Sequence, residues 1–289
     1  MSVPTLDIWF GDNLDLLRGF ESSSFDLIYI DPPFNTRRRR IRRRMRTARD
    51  DDGDRTGFHG FRYRTEMLGA QTFPDVFDDL PAFLEPRLHE ARRVLTPTGS
   101  IFIHLDYREV HYVRVLADTI FGRTSFMNEI IWAYDYGARS RSRWSPKHDN
   151  ILWYARDPKA YTYRYDDIDR VPYLAPRLVT PEKAARGKTP TDTWWHTIVS
   201  PTGRERTGYP TQKPLAILDR IIRVHSAPGD RVLDFFAGSG TTGEAAVRIG
   251  RHATLVDCHP PALEVMSRRL AFANPTFHDW APDAAPAAR

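Results

Sequence analysis

"VLDFFAGSGTTGEAA", Val232–Ala246, joins a short apolar run to a small-residue helix through a turn that holds Gly238, Gly240 and Gly243. The spacing is G-x-G-x-x-G, and Asp257 closes the next apolar run nineteen residues after Gly238. Such a turn lets backbone amides and a helix N-terminus approach a ligand, while the acidic residue accepts hydrogen bonds from ribose hydroxyls. The implied ligand is a nucleoside-containing cofactor. A nicotinamide dinucleotide and S-adenosylmethionine (SAM) both carry a ribose; Asp234, ahead of the turn, suits a cationic cofactor amine better than a pyrophosphate.

Outward from this corner, apolar periodicity predicts helices over 215–224, 241–249 and 261–270, alternating with strands over 231–235 and 252–257. This alternation predicts an α/β fold with a doubly wound, mostly parallel sheet. Toward the N-terminus the pattern gives strands at 8–10, 25–30 and 100–105. It gives helices at 12–18, 83–95, with Pro97 and Gly99 as stop signals, and 108–121, closed by Gly122. Strands at 129–134 and 150–154 flank a basic, aromatic stretch at 136–148. Residues 36–72 read as a long exposed loop, 157–207 as a polar inserted region, and the Ala/Pro-rich end after Ala273 as a disordered tail.

With 289 residues, 41% of them apolar, the chain is long enough for one large α/β domain with insertions or for two small ones. One cysteine, Cys258, excludes a disulfide framework, and the histidines show no paired Cys/His spacing of the zinc type, so no metal is expected. With no signal-peptide pattern and no long apolar run, a cytoplasmic, nucleoid-associated protein is expected. Eight arginines between Arg37 and Arg46 account for more than the whole net charge of +5. Such a run is either a solvated loop or an element that binds a polyanion.

That run follows a second distinctive corner, "FDLIYIDPPFNT", Phe25–Thr36. Ligands of open α/β sheets sit at the carboxyl ends of strands, which puts Asp31 in the same cleft as the glycine corner. Pro32 and Pro33 fix two φ angles and remove two N–H donors, leaving a stiff corner of acceptors. Asp31 and a nearby backbone carbonyl accept, Phe34 offers a flat apolar face, and Asn35 can donate or accept. The fitting partner is a flat ring bearing an amino group. Two acceptors gripping the amino hydrogens favour a pyramidal nitrogen whose lone pair faces an incoming methyl. In a duplex such a base must be flipped out, with an aromatic ring to stack on.

On these residues the chain resembles a known family. "DPPF" at 31–34, "FFAGSGTT" at 235–242 and "YPTQKP" at 209–214 look like the catalytic, SAM-binding and cofactor-flanking motifs of the SAM-dependent DNA amino-methyltransferases, in the order of the permuted β class. "IWFGDNLDLL", "GSIFIHLDYREVHYV" and "NEIIWAYDYG" extend the resemblance over about 6–270. It implies that Asp31 and the Pro32 carbonyl hold the target amino group, that Phe34, where the family often has tyrosine, stacks on the base, and that Asn35 belongs to the same site. Asp234, Phe235, Phe236, Ala237, Gly238, Ser239, Gly240, Thr241 and Thr242 then line SAM. Asp257 binds its ribose, Asp12 lies beside its adenine, and Thr211 and Lys213, with Asp31 nearby, sit at its methionine end.

An aspartate opening the catalytic motif resembles the adenine-N6 enzymes more than the cytosine-N4 enzymes, which remain the alternative. Double-stranded DNA is the implied substrate, with a homodimer and a cognate restriction endonuclease as compatible partners. The domain reading is a catalytic half at 1–135 carrying the arginine-rich loop, a target-recognition region at 136–207, a SAM-binding half at 208–273 and a tail at 274–289. DNA contacts are expected from Arg37, Arg38, Arg39 and Arg40, and from Arg139, Arg141, Arg143 and Lys147. Trp194 and Trp195 suit either base reading or the core. Rival readings are an NAD-dependent oxidoreductase, which leaves the Asp31 corner unexplained, and a catalytically silent nucleic-acid-binding relative.

Overall fold

The structure is a computed structural model and describes residues 3–33, 40–49, 52, 55–56, 62–73, 79–137, 139–200 and 202–280. The chain forms two units, Met1–Pro32 with Asp79–Arg289, and Pro33–Asp78. In chain order its strands are β1 Leu6–Phe10, β2 Phe25–Ile30, β3 Arg40–Arg49, β4 Arg55–Thr56, β5 Arg62–Phe73, β6 Leu95–Leu105, β7 Phe126–Ala133, β8 His148–Ala155, β9 Thr193–Trp195, β10 Arg231–Asp234, β11 His252–Asp257 and β12 Thr276–His278. The helices are α1 Asn13–Gly19, α2 Leu80–Val94, α3 Val110–Phe121, α4 Pro181–Arg186, α5 Leu215–His225, α6 Thr241–Arg248 and α7 Pro260–Arg269.

The larger unit is built on a nine-stranded sheet in the order β12-β1-β11-β10-β2-β6-β8-β7-β9. Only β8 runs against the others, so the expected mostly parallel sheet is present. Its central strands are continuous apolar runs, as burial on both faces requires: Leu27, Ile28 and Ile30 of β2, Val232 and Leu233 of β10 and Leu255 of β11 are fully buried. Helices carry their apolar stripes inward, Leu84, Leu88 and Ala91 on α2 and Leu218, Ile221 and Ile222 on α5. α2 begins three residues before its predicted start because Asp79 caps it, accepting from Ala82 N at 2.9 Å, with Pro81 in the first turn. β6 starts at once after α2, and the bulge between Phe25 and Leu27 absorbs Pro97 and Gly99.

Two expectations are corrected. The stretch 36–72, read as a loop, contains strands: β3 and β5 pair antiparallel over Arg40–Arg49, and β4 adds to β5. Arg42, Arg43 and Arg44 interrupt the alternation between Ile41 and Met45, and the pairing register shifts between Arg44 and Met45, so the sequence shows no sustained period of two. The tail, expected to be disordered from 274, is structured over 274–280, and 281–289 lies outside the described residues. β12 pairs with β1, the His278 ring stacks on Trp9 at 3.9 Å, and His278 Nε2 lies 2.9 Å from Asp7 Oδ1. Short aromatic runs at an edge strand carry too little periodicity to announce this. The polar region 157–207 also sends β9 into the main sheet beside β7.

Candidate active site

β2 and β10 are parallel neighbours, Val232 opposite Leu27 and Leu233 opposite Ile28, so the chain leaves both at the same edge, through Asp31 and through the glycine corner. Lys213 bridges the two exits. Its Nζ lies 2.5 Å from Oδ2 of Asp31, and its backbone carbonyl accepts from Thr241 Oγ1 at 3.3 Å. Tyr209, earlier in the same segment, lies against the corner: a Cβ at Gly238 would sit 3.1 Å from its Cε1. Oδ1 of Asp31 is buried and has no hydrogen-bond partner among the described residues. An acceptor in that condition is costly unless a ligand supplies the donor. Pro32 is buried beside it, and Phe34 and Asn35 lie outside the described residues.

The corner owes its shape to residues with φ in the left-handed region, Gly238 at 51° and Gly240 at 73°. A Cβ at Gly240 would also meet Met266 Cγ at 2.8 Å. Asp257 accepts from Gly238 N at 2.8 Å through Oδ2 and from His259 N at 2.9 Å through Oδ1. Asp234 accepts from Phe236 N at 2.9 Å and from Thr242 Oγ1 at 2.6 Å. Burial pushes the Asp234 carboxyl up to about 7 and raises Asp257 as well. Both carboxylates thus fix the corner's backbone first. Each oxygen keeps a lone pair, so these acceptors still fit the hydroxyls of a ribose and a cofactor ammonium.

Other expected SAM-lining residues also serve the corner itself. Ser239 and Thr241 are buried, their hydroxyls 3.1 Å apart, and Arg269 donates to Thr241 Oγ1 at 2.8 Å while pairing with Glu244 at 2.5 Å. Phe235 is fully buried and its carbonyl accepts from Asn13 Nδ2 at 2.8 Å; Phe236 packs near Phe83, and Ala237 is buried. Thr211 is exposed and held at φ 66°, an unusual conformation for a β-branched residue. Asp12 follows β1, the neighbour of β11. It caps α1 through Leu14 N at 2.8 Å and accepts from Arg87 at 3.1 Å.

Sequence reasoning missed a buried chain behind Asp31. Tyr29 OH lies 2.6 Å from His104 Nδ1, His104 Nε2 lies 3.2 Å from Asp149 Oδ2, and Tyr134 OH donates to Asp149 Oδ1 at 3.0 Å. Burial, then Lys213, lowers the His104 pKa, so the imidazole is neutral at neutral pH. Burial pushes Asp149 up, but hydrogen bonds from His104 and Tyr134 and the charge of Lys213 outweigh it and hold the carboxylate low. Burial, then Asp31, Asp234 and Asp149, raises Tyr29 well above its usual range. Nε2–H therefore donates to Asp149, and Nδ1 accepts from the Tyr29 hydroxyl. The available signal was a histidine and a tyrosine inside otherwise apolar strands. Arg87, buried among α2's leucines, offered a similar clue; its Nε donates to Asn13 Oδ1 at 2.6 Å.

Of the expected DNA contacts, Arg139, Arg141 and Arg143 are exposed on the segment between β7 and β8. Arg139 pairs with Asp135 at 2.5 Å, and Lys147 caps the Tyr136 carbonyl. Arg37, Arg38 and Arg39 lie outside the described residues, and Arg40 opens β3. The two tryptophans part company. Trp194 is buried under the Arg220 guanidinium, and Trp195 is 77% exposed.

Residues 25–268 match the N6/N4 family model described as DNA methylase. The chain is 30% identical over 254 residues to the Type II methyltransferase M.HpaI of Haemophilus parainfluenzae, covering 88% of this chain and 70% of that one. It is 29% identical over 272 residues to the DNA adenine methyltransferase YhdJ of Escherichia coli (strain K12), covering 91% and 82%. The PvuII DNA methyltransferase, cytosine-N4-specific, superposes with a TM-score of 0.62 at 16% identity, over 97% of this chain and 90% of that one, a likeness of fold. With the family model spanning both the Asp31 corner and the glycine corner, the chain belongs to the N6/N4 DNA methylase family, the SAM-dependent amino-methyltransferases of DNA.

Proposed function

We propose that this methyltransferase acts on the exocyclic N6 of an adenine flipped out of duplex DNA. One observation carries the reading: the buried, unpartnered Oδ1 of Asp31 stands at the sheet edge that also bears the glycine corner, with its sister oxygen held by Lys213. The cofactor supplies an activated methyl group when bound. Asp257 and Asp12 suit its nucleoside end, and Asp234, Thr211 and Lys213 its methionine end.

An exocyclic base nitrogen is a weak nucleophile because its lone pair is delocalised into the ring. In this reading Asp31 Oδ1 and the Pro32 carbonyl accept the two amino hydrogens, which favours a pyramidal nitrogen. Lys213 prevents the carboxylate from turning away, so the gain is mainly one of placement, with Asp31 an acceptor rather than a strong base. Phe34 stacks on the base, and Asn35 adds a polar contact. Arg139, Arg141, Arg143 and Lys147, within a recognition region at 136–207, and Arg37 to Arg40 contact the DNA. Replacing Arg37 to Arg40 with serine lowers the salt slope of binding by about 0.9 for each phosphate that is no longer neutralised.

Adenine is favoured by the aspartate that opens the catalytic motif and by the similarity to YhdJ along 91% of the chain. The test is transfer of labelled methyl from SAM to plasmid DNA, followed by digestion to nucleosides. Label in N6-methyladenine supports the proposal; label in N4-methylcytosine refutes the base assignment, and no label refutes the activity.

A further inference from the structure

Trp144 is 98% exposed on the segment that joins β7 to β8. An indole left almost wholly in water contributes nothing to the core, and large aromatic side chains are buried on average. Its position is informative. β7 ends at Ala133 opposite His148, and Leu105 at the carboxyl end of β6 lies opposite Asn150. β6 is the parallel neighbour of β2, so the segment 134–147 rises from the sheet edge at which Asp31 lies.

The segment is held in shape. Tyr134 N donates to the Lys147 carbonyl at 2.9 Å, closing its foot, and Ser140 N donates to Ser145 Oγ at 2.6 Å, pinning the turn that carries Trp144. The foot is tied to the catalytic strand through Tyr134, Asp149, His104 and Tyr29. Arg141 and Arg143 precede the indole on the same turn, are exposed and form no ion pair among the described residues. An exposed flat apolar ring on a loop that also carries two uncompensated guanidinium groups matches a partner with a stack of aromatic faces inside a rail of negative charge, which is duplex nucleic acid. A second copy of the same basic loop is disfavoured by like charge.

Extruding a base leaves a gap in the stack, and proteins that distort DNA fill such gaps with inserted apolar side chains. We propose that Trp144 is this wedge: it enters the duplex where the target base departs, while Arg141 and Arg143 hold the flanking phosphates. The inference rests on the base-flipping methyltransferase reading.

The test uses the full chain. Plasmid DNA from cells expressing it is first sequenced for modified bases, which gives the site. Wild type, Trp144→Ala and Trp144→Phe are then compared on a duplex holding that site, and on one in which the target base faces an abasic position. Trp144 touches no core, so the variants fold, as a thermal melt verifies. Trp144→Ala is expected to lower kcat/KM on the paired duplex roughly ten- to hundredfold, the range that stacking on a base carries. Trp144→Phe retains most activity, the unpaired target restores the alanine variant, and the salt slope of its binding is unchanged because no charge is removed. An equal loss on both duplexes, or no loss, overturns the wedge while leaving the methyltransferase reading intact. A shift from dimer to monomer in Trp144→Ala, with activity preserved, assigns the ring to a second copy and also overturns it. Wild-type chain that leaves the plasmid unmodified overturns both.

Discussion

Lys213 and Asp31 stand 182 positions apart in the chain, and their Nζ and Oδ2 atoms lie 2.5 Å apart. The lysine also accepts at its carbonyl from Thr241, so one residue fixes the Asp31 corner to the first turn of α6. Asp31→Ala is expected to abolish methyl transfer while changing SAM affinity by no more than a few fold, as titration calorimetry would register. Lys213→Met leaves a buried carboxylate without its cation and should cost about 3 kcal/mol in urea unfolding. The double variant Asp31→Asn/Lys213→Met recovers much of that stability and no activity. Recovery of turnover would contradict the assigned role of Asp31.

His104 is buried between a tyrosine and a carboxylate, so removing its ring strands two polar groups. His104→Leu should lose on the order of 2–4 kcal/mol and Tyr29→Phe about 1 kcal/mol, both by chemical denaturation. If the chain only supports packing, Tyr29→Phe keeps wild-type kcat. A fall in kcat with unchanged KM for DNA shows that it orients the Asp31 strand.

Asp234 links stability to pH. Its carboxyl is raised from 3.8 to about 7 by burial, so the folded state holds the proton more tightly than the unfolded chain. The contribution is complete below about pH 4 and fades as pH rises through 7, a change on the order of 4 kcal/mol. His225, buried and lowered from 6.5 to about 3, acts with the opposite sign below pH 6.5. Between pH 6.5 and 8 the cofactor-free protein should therefore lose stability, and Asp234→Asn should flatten the slope. A wild-type slope in the variant would mean that Asp257 alone is responsible.

Gly240 cannot carry a side chain without strain, given its φ of 73° and the 2.8 Å approach to Met266. Gly240→Ala should cost roughly 1–3 kcal/mol and weaken SAM binding more than tenfold by calorimetry. An alanine variant with wild-type affinity would show that the corner's backbone does not set the cofactor site.

Seven of the nine strands of the larger sheet, all but β9 and β12, were legible in the sequence because each is a short apolar run between polar turns, and both corners because prolines and glycines restrict the backbone locally. Val232–Ala246 and Phe25–Thr36 were therefore readable one at a time. Residues 40–49 were not read as a strand, because the run Arg42–Arg44 breaks the alternation of polar and apolar positions. Folding alone decided what required distant segments to meet: Lys213 on Asp31, His104 between Tyr29 and Asp149, Arg269 on Thr241, and β12 on β1. Local pattern reports what a segment does with its own hydrogen bonds and apolar face. Pairing of buried polar groups across strands depends on sheet order, which no single stretch of the chain encodes.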